Sequence, residues 1–321
     1  MPDTRHPTTA PRDRESGVGY RLQMPVRRFT PIAPLEPGRV LPTLGIGRGD
    51  PSIAVDDGAW IAVNTDTGPA TVRYAAVEGA IEAEAWGPGA ERALVLAPGM
   101  IGATDDPAAF QTDHPVMRRL QKAHPNVRIT RSGMVTAALL RAVFGQKVTG
   151  KEAKRSYRKM TRALGERAPG PRPDLVLPSD PARIATLGYE DFHPWGVERK
   201  RAETLLEVAR RSKRLEEANE MDLADAYTRI TALRGVGPWS AALVGMQALG
   251  DADAVPVGDY HIPNTVAWLL AGEPRGDDDR VLELLEPFRP HRGRAIRLIE
   301  AAGVKAPKYG PRTPLRSIEH I

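Results

Sequence analysis

The chain has 321 residues, 41% of them hydrophobic, with 45 Lys and Arg against 40 Asp and Glu and a formal net charge of +5. That length exceeds one typical core and predicts two domains or three subdomains that fold without covalent staples. Cysteine is absent, which excludes a disulfide framework, a cysteine-ligated zinc site, an iron–sulfur cluster and a thiol nucleophile.

Residues 1–17 are rich in Pro, Thr, Arg and Asp. They are expected to be a disordered start without the apolar stretch of a signal peptide. No apolar run approaches the ~20 residues that span a bilayer, so a cytoplasmic protein with no membrane partner is expected. Residues 18–112 form the next predicted unit, rich in short β-branched stretches with turn punctuation: 52–55, an Asp57-Gly58 turn, 60–63, 71–77, Gly79 and 80–86. Ile81, Ala83 and Ala85 alternate with Glu82 and Glu84, the pattern of half-buried antiparallel strands.

After Gly99 the apolar period becomes helical, and a helical region is placed at 113–305, followed by a basic tail at 306–321. Val135, Leu139, Ala142 and Val143 share one helix face. The next helix opens at Thr149 with Glu152 three residues on, the spacing of a capping box, and buries Ala153, Tyr157, Met160 and Leu164. Further helices carry Ala202, Leu205, Leu206 and Ala209, then Asp222 through Leu233, stopped by Gly235. The class expected is α+β, mostly helical with an N-terminal antiparallel sheet.

Positive charge is clustered. Eight basic residues lie between Lys147 and Arg167 against Glu152 and Glu166, and eight more between Arg289 and Arg316 against Glu300 alone. Each stretch alone reads equally as a solvated face; together they suggest two phosphate-facing edges.

The most informative segment reads LRGVGPWSAA from residue 233 and continues LVGMQALG as an apolar helix. Gly235 and Gly237 permit a sharp turn between two helices, and the N–H groups of Gly235, Val236 and Gly237 could hold a phosphate at a helix start near Pro238. Asp259 follows Gly237 by 22 residues, after Gly258. Read alone, Asp259 is a helix N-cap. His261, His193 and His291 lack metal-ligand spacing.

LRGVGPWSAALV followed by VPVGDYHIPNTVAWLL resembles the hairpin, Gly/Pro-rich loop and aspartate of the helix-hairpin-helix DNA glycosylases. Over nearly its whole length the chain is similar to the DNA-3-methyladenine glycosylase II family, through MIGATDDPAAFQT, LLRAVFGQKVT, residues 196–209 and PFRPHRGRAIRLI. The resemblance implies that family's fold, including a TATA-binding-protein-like subdomain for the strand-rich part. It also implies base excision repair: a damaged base is flipped out of the stack, an alkylated purine of the 3-methyladenine or 7-methylguanine type is removed by hydrolysis, and an abasic site remains.

By the same resemblance Asp259 is the catalytic carboxylate and Gly235, Val236 and Gly237 are the phosphate-binding hairpin, whose carbonyls also hold a monovalent cation in family members. Trp239 stands where lyase-competent relatives carry a nucleophilic lysine, so a monofunctional enzyme is implied. Trp239, Tyr260, Phe144 and Trp195 are the base-pocket candidates, with core packing the competing reading. Gln146, Lys147, Thr149, Lys151, Arg155 and Arg294 are the remaining DNA-binding candidates. Lys147 departs from the family's apolar wedge, and both a wedge and a phosphate contact remain open for it. No redox or organic cofactor and no other metal is expected. The partner implied is damaged double-stranded DNA, bound by a monomer associated with the nucleoid. A non-catalytic hairpin DNA-binding protein and a bifunctional glycosylase/lyase are the alternatives.

Overall fold

The computed structural model describes residues 24–307, so the expectations for the first 17 residues and for the tail beyond residue 307 lie outside the described residues. Five antiparallel strands, β1 (Val26–Phe29), β2 (Ile53–Val55), β3 (Ala59–Thr65), β4 (Gly68–Val77) and β5 (Ala80–Trp86), form one sheet in the order β1-β5-β4-β3-β2. β5 alternates as the sequence implied, with Ile81, Ala83 and Ala85 buried and Glu82 and Glu84 half-exposed. β3 does not, because both faces of the sheet are covered there. On one face the helix Ala90–Met100 packs through Ala93, Leu94 and Ala97. On the other, Trp60 and Trp86 stack at 5.4 Å beneath Ala168, Leu175 and Leu177. A strand buried on both faces reads as a continuous apolar run.

The helical part has two cores. The larger surrounds Val135–Phe144, whose residues are buried on nearly every side, and draws in Gly150–Leu164, Arg199–Arg210 and the two hairpin helices Leu223–Thr231 and Pro238–Val244. The smaller joins Pro115–Ala123 to the C-terminal helices Ile262–Ala271, Asp278–Leu285 and Arg292–Ala301. The chain thus closes on itself: Phe110 meets Phe288 edge to face at 5.8 Å.

Two local features bear on the expected helices. The apolar run after the hairpin is not one α-helix, since it passes at Gly245–Leu249 into a π-turn. The carbonyls of Met246, Gln247 and Ala248 there accept N–H bonds from Thr130, Ser132 and Gly133. A neighbouring segment therefore takes up acceptors that would otherwise serve the helix. The capping box does form: Thr149 Oγ1 accepts from Glu152 N at 3.3 Å, and Thr149 N donates to Glu152 Oε2 at 2.9 Å.

Candidate active site

The hairpin turn is built on Gly235, whose φ of +87° suits glycine alone among common residues. A Cβ there would also strike the Thr204 side chain, which lies buried beneath the turn. Among the described residues the N–H groups of Gly235 and Gly237 have no backbone acceptor, and no atom lies within 4 Å of where a Gly237 Cβ would sit. Gly237 caps the Pro238–Val244 helix, with Pro at its first position. The open backbone and the uncommitted donors are the features that the phosphate-binding reading of the hairpin requires. Val236 is a correction: its N–H donates to Leu233 O at 3.1 Å and its side chain is buried, so it shapes the turn and offers no donor. The Leu233 and Gly235 carbonyls each accept one bond. Each keeps a lone pair, which fits a weakly held monovalent cation that would brace the turn.

The aspartate loop, residues 250–261, is held at several points, three of them through side chains of acids. Tyr227 of the first hairpin helix donates to Asp251 Oδ2 at 2.5 Å. Burial first, then the bonded Asp251, pushes the Tyr227 phenol well above its ordinary pKa, so it stays a donor. Asp253 accepts from Arg292 N at 3.0 Å and Nε at 2.9 Å. Gly258 N donates to both oxygens of Asp278 at 3.0 Å.

This scaffold places Asp259 half-buried beside the hairpin. Its Oδ1 accepts from His261 N at 2.7 Å and Ile262 N at 2.8 Å, at the start of Ile262–Ala271. Its Oδ2 accepts from Trp239 Nε1 at 2.8 Å. One oxygen therefore does the work of a helix cap, and the other faces the hairpin.

Around the pair, Tyr260 is 80% exposed and edge-on to His261 at 4.9 Å, so it stands at the rim. Gln146 faces the hairpin and spends its amide on it, donating to Gly235 O at 2.9 Å and Ser240 Oγ at 3.0 Å. Lys147 and Lys151 are exposed. Lys151 and Lys154 occupy the exposed side of Gly150–Leu164, while Tyr157, Met160 and Leu164 face the core.

Several expected site residues lie elsewhere. Phe144 is 1% exposed and packs edge-on against Tyr157 at 5.7 Å, inside the larger helical core. Trp195 packs against Phe192 at 5.6 Å on the rim of that core and makes no ring contact with Trp239 or Tyr260. Thr149 commits its hydroxyl and its N–H to the capping box. Arg155 is half-buried and engaged within the protein. Arg294 is 3% exposed and paired with Asp105, its Nη1 donating at 2.9 Å. Packing buries Phe144 and Arg294, and local contacts engage Thr149, Arg155 and Trp195. The Trp239 contact with Asp259 and the Gln146 clamp were not foreseen: 20 and 89 residues separate these partners, and neither interval follows a helix or strand period.

Among the described residues no helix is long and apolar enough to cross a membrane, and no cluster of three or more His, Asp and Glu could hold a metal ion. No lysine occurs between Lys213 and Lys305.

No family model matches the chain. It is 28% identical over 111 residues to "DNA-3-methyladenine glycosylase" of Bacillus subtilis, covering 33% of this chain and 37% of that protein. It is 31% identical over 147 residues to "Probable bifunctional transcriptional activator/DNA repair enzyme AlkA" of Mycobacterium tuberculosis, covering 45% of this chain and 29% of the relative. The chain thus spans about a third of the length of the curated relatives it matches. The solved 3-methyladenine DNA glycosylase of Archaeoglobus fulgidus superposes with a TM-score of 0.71 at 19% identity, over 85% of this chain and 97% of that one. In fold this chain is similar to a solved 3-methyladenine DNA glycosylase, and over part of its sequence it is similar to proteins named DNA-3-methyladenine glycosylase and AlkA.

Proposed function

We propose that the chain is a monofunctional DNA glycosylase that removes alkylated purines, with Asp259 as the catalytic carboxylate. The observation that carries the reading is the placement of Asp259 Oδ2 against the hairpin helix, 2.8 Å from Trp239 Nε1, while its Oδ1 is fixed by two backbone amides. An alkylated purine leaves with its positive charge relieved, and the sugar takes on oxocarbenium character. A carboxylate held in place stabilises that cation and orients the attacking water. The open hairpin backbone positions the phosphate chain, and the exposed lysines beside it supply attraction that does not depend on sequence. Release without strand cleavage is supported by the tryptophan at position 239 and by the absence of lysine between Lys213 and Lys305, since neither the hairpin nor the aspartate loop then carries an amine to form a Schiff base.

The test is single-turnover release of free base from duplexes that each carry one defined lesion. Methylated purines should be excised, and borohydride should trap no covalent adduct. Asp259→Asn should slow release by about 10²–10³, or about 2.7–4 kcal/mol, with duplex affinity retained. Asn can still cap the helix through its oxygen, so the fold should survive. A variant that excises at the wild-type rate removes Asp259 from the chemistry. Efficient trapping would replace the monofunctional reading with a glycosylase/lyase, and Lys147→Ala would show whether that lysine is the nucleophile.

A further inference from the structure

The indole of Trp239 touches two parts of the molecule that the proposed reaction needs to act together. Its Nε1 donates to Asp259 Oδ2 at 2.8 Å. At the far edge of the ring, Cη2 lies 3.1 Å from where a Cβ on Gly145 would sit, so the ring lies beside the 145–149 loop and a side chain at position 145 would crowd it. The next loop residue, Gln146, is tied to Gly235 O and to Ser240 Oγ, the neighbour of Trp239 on the hairpin helix. The residue after it, Lys147, is exposed with φ of +56°. A lysine seldom takes that conformation unless its neighbours impose it. Gln146 is thus tied to the element that carries Trp239, Gly145 lies beside its ring, and the positive φ of Lys147 follows directly after.

We propose that Trp239 is a positioning residue that transmits the seating of the 145–149 loop to the Asp259 carboxylate. The inference rests on the catalytic role proposed for Asp259. With Oδ1 held by the amides of His261 and Ile262, the twist of the carboxylate is set by what holds Oδ2, and among the described residues Trp239 is the donor that does so. Three of about four lone-pair sites are then occupied, which leaves one direction for a cationic sugar or a water. If the loop shifts, the ring edge against Gly145 shifts with it, and the carboxylate loses its aim. Contact of Lys147 with a duplex and alignment of Asp259 therefore become one event, and excision is confined to DNA that seats the loop. A tryptophan that only walled the base pocket would act on base affinity whether or not Asp259 were present.

The test is a double-mutant cycle on a duplex containing 7-methylguanine, whose labile bond keeps slow variants measurable. Single-turnover rates and dissociation constants for an abasic-site analogue are read together. Trp239→Phe removes the N–H and, with its shorter ring, also draws the ring edge back from Gly145. It should lower the rate roughly tenfold or more, the scale of a lost hydrogen bond to a charged group, and leave the dissociation constant within about twofold. Gly145→Ala should act in the same direction although every partner of Asp259 stays chemically intact. In an Asp259→Asn background either substitution should change the rate by less than about twofold, because no carboxylate remains to be aimed. Should Trp239→Phe fail to fold, the Gly145→Ala pair completes the same cycle. Full-rate excision by Trp239→Phe overturns the proposal. So does an equal loss in both backgrounds, or a loss confined to affinity. A full-rate Asp259→Asn enzyme instead overturns the catalytic assignment, so the two failures are distinguishable.

Discussion

The two basic stretches of this chain are equal on paper, but the lysines that open the first and the arginines that open the second differ in the fold. From Lys147 to Lys154 the lysines at 147, 151 and 154 are exposed, and no acid pairs with them among the described residues. Between Arg289 and Arg297 the arginines are bound to the protein's own acids: Arg289 to Glu286 and Asp253, Arg292 to Asp253, Arg294 to Asp105, and Arg297 to Glu300. The second edge expected for DNA is, over these residues, an internal fastening that locks the C-terminal helix to the aspartate loop and to the segment before Pro115–Ala123. The difference follows from side-chain chemistry as well as position. A planar guanidinium can satisfy a carboxylate bidentately in a crowded place, whereas lysine's compact, strongly hydrated ammonium is left at the surface. A count of charges does not separate a fastening from a binding face; partner geometry does.

The contrast between the two stretches would break most visibly at Arg294. Arg294→Ala strands Asp105, itself 10% exposed, without its guanidinium. The expected loss is about 3–5 kcal/mol of stability, the scale for removing one partner of a buried pair. Chemical denaturation measures it, and a variant as stable as the parent but weaker on DNA would restore Arg294 to the binding face.

The opposite pattern is expected at the lysines. Replacing Lys147, Lys151 and Lys154 together by Gln should leave the melting temperature nearly unchanged. The salt dependence of duplex binding should become shallower by about 0.9 for each phosphate that is no longer neutralised. An unchanged slope would mean that DNA approaches another face.

The smallest effect sharpens the picture of the fastening. Burial opposes the charge of Asp253, but the hydrogen bonds from Arg292 and the charges of Arg292 and Arg289 outweigh it and hold its carboxyl below the usual range. Its contribution to stability is therefore complete above the unfolded value, about 3.9. It is lost as pH falls through the lower folded value. Asp253→Asn should flatten the acid side of the stability–pH curve, and an identical curve would show that the clamp adds nothing.

Much of this protein is legible in its sequence because short-range periodicities carry it. The alternation of residues 80–86, the capping box at Thr149 and Glu152, and the hairpin at Gly235 and Gly237 each depend on residues within a few positions of one another. Local backbone sterics and hydrogen bonding specify them. Asp259 was singled out by resemblance, through the hairpin upstream of it. What tertiary structure alone decided is which chemically suitable side chains reach the site. Phe144 and Arg294 had the right chemistry and were consumed by packing and by a buried ion pair. The bond from Trp239 to Asp259 and the clamp of Gln146 on Gly235 join segments whose separation in sequence carries no period. Such contacts arise only once helices with separately specified faces dock on a common core, because docking, and not local propensity, sets the distance between their side chains.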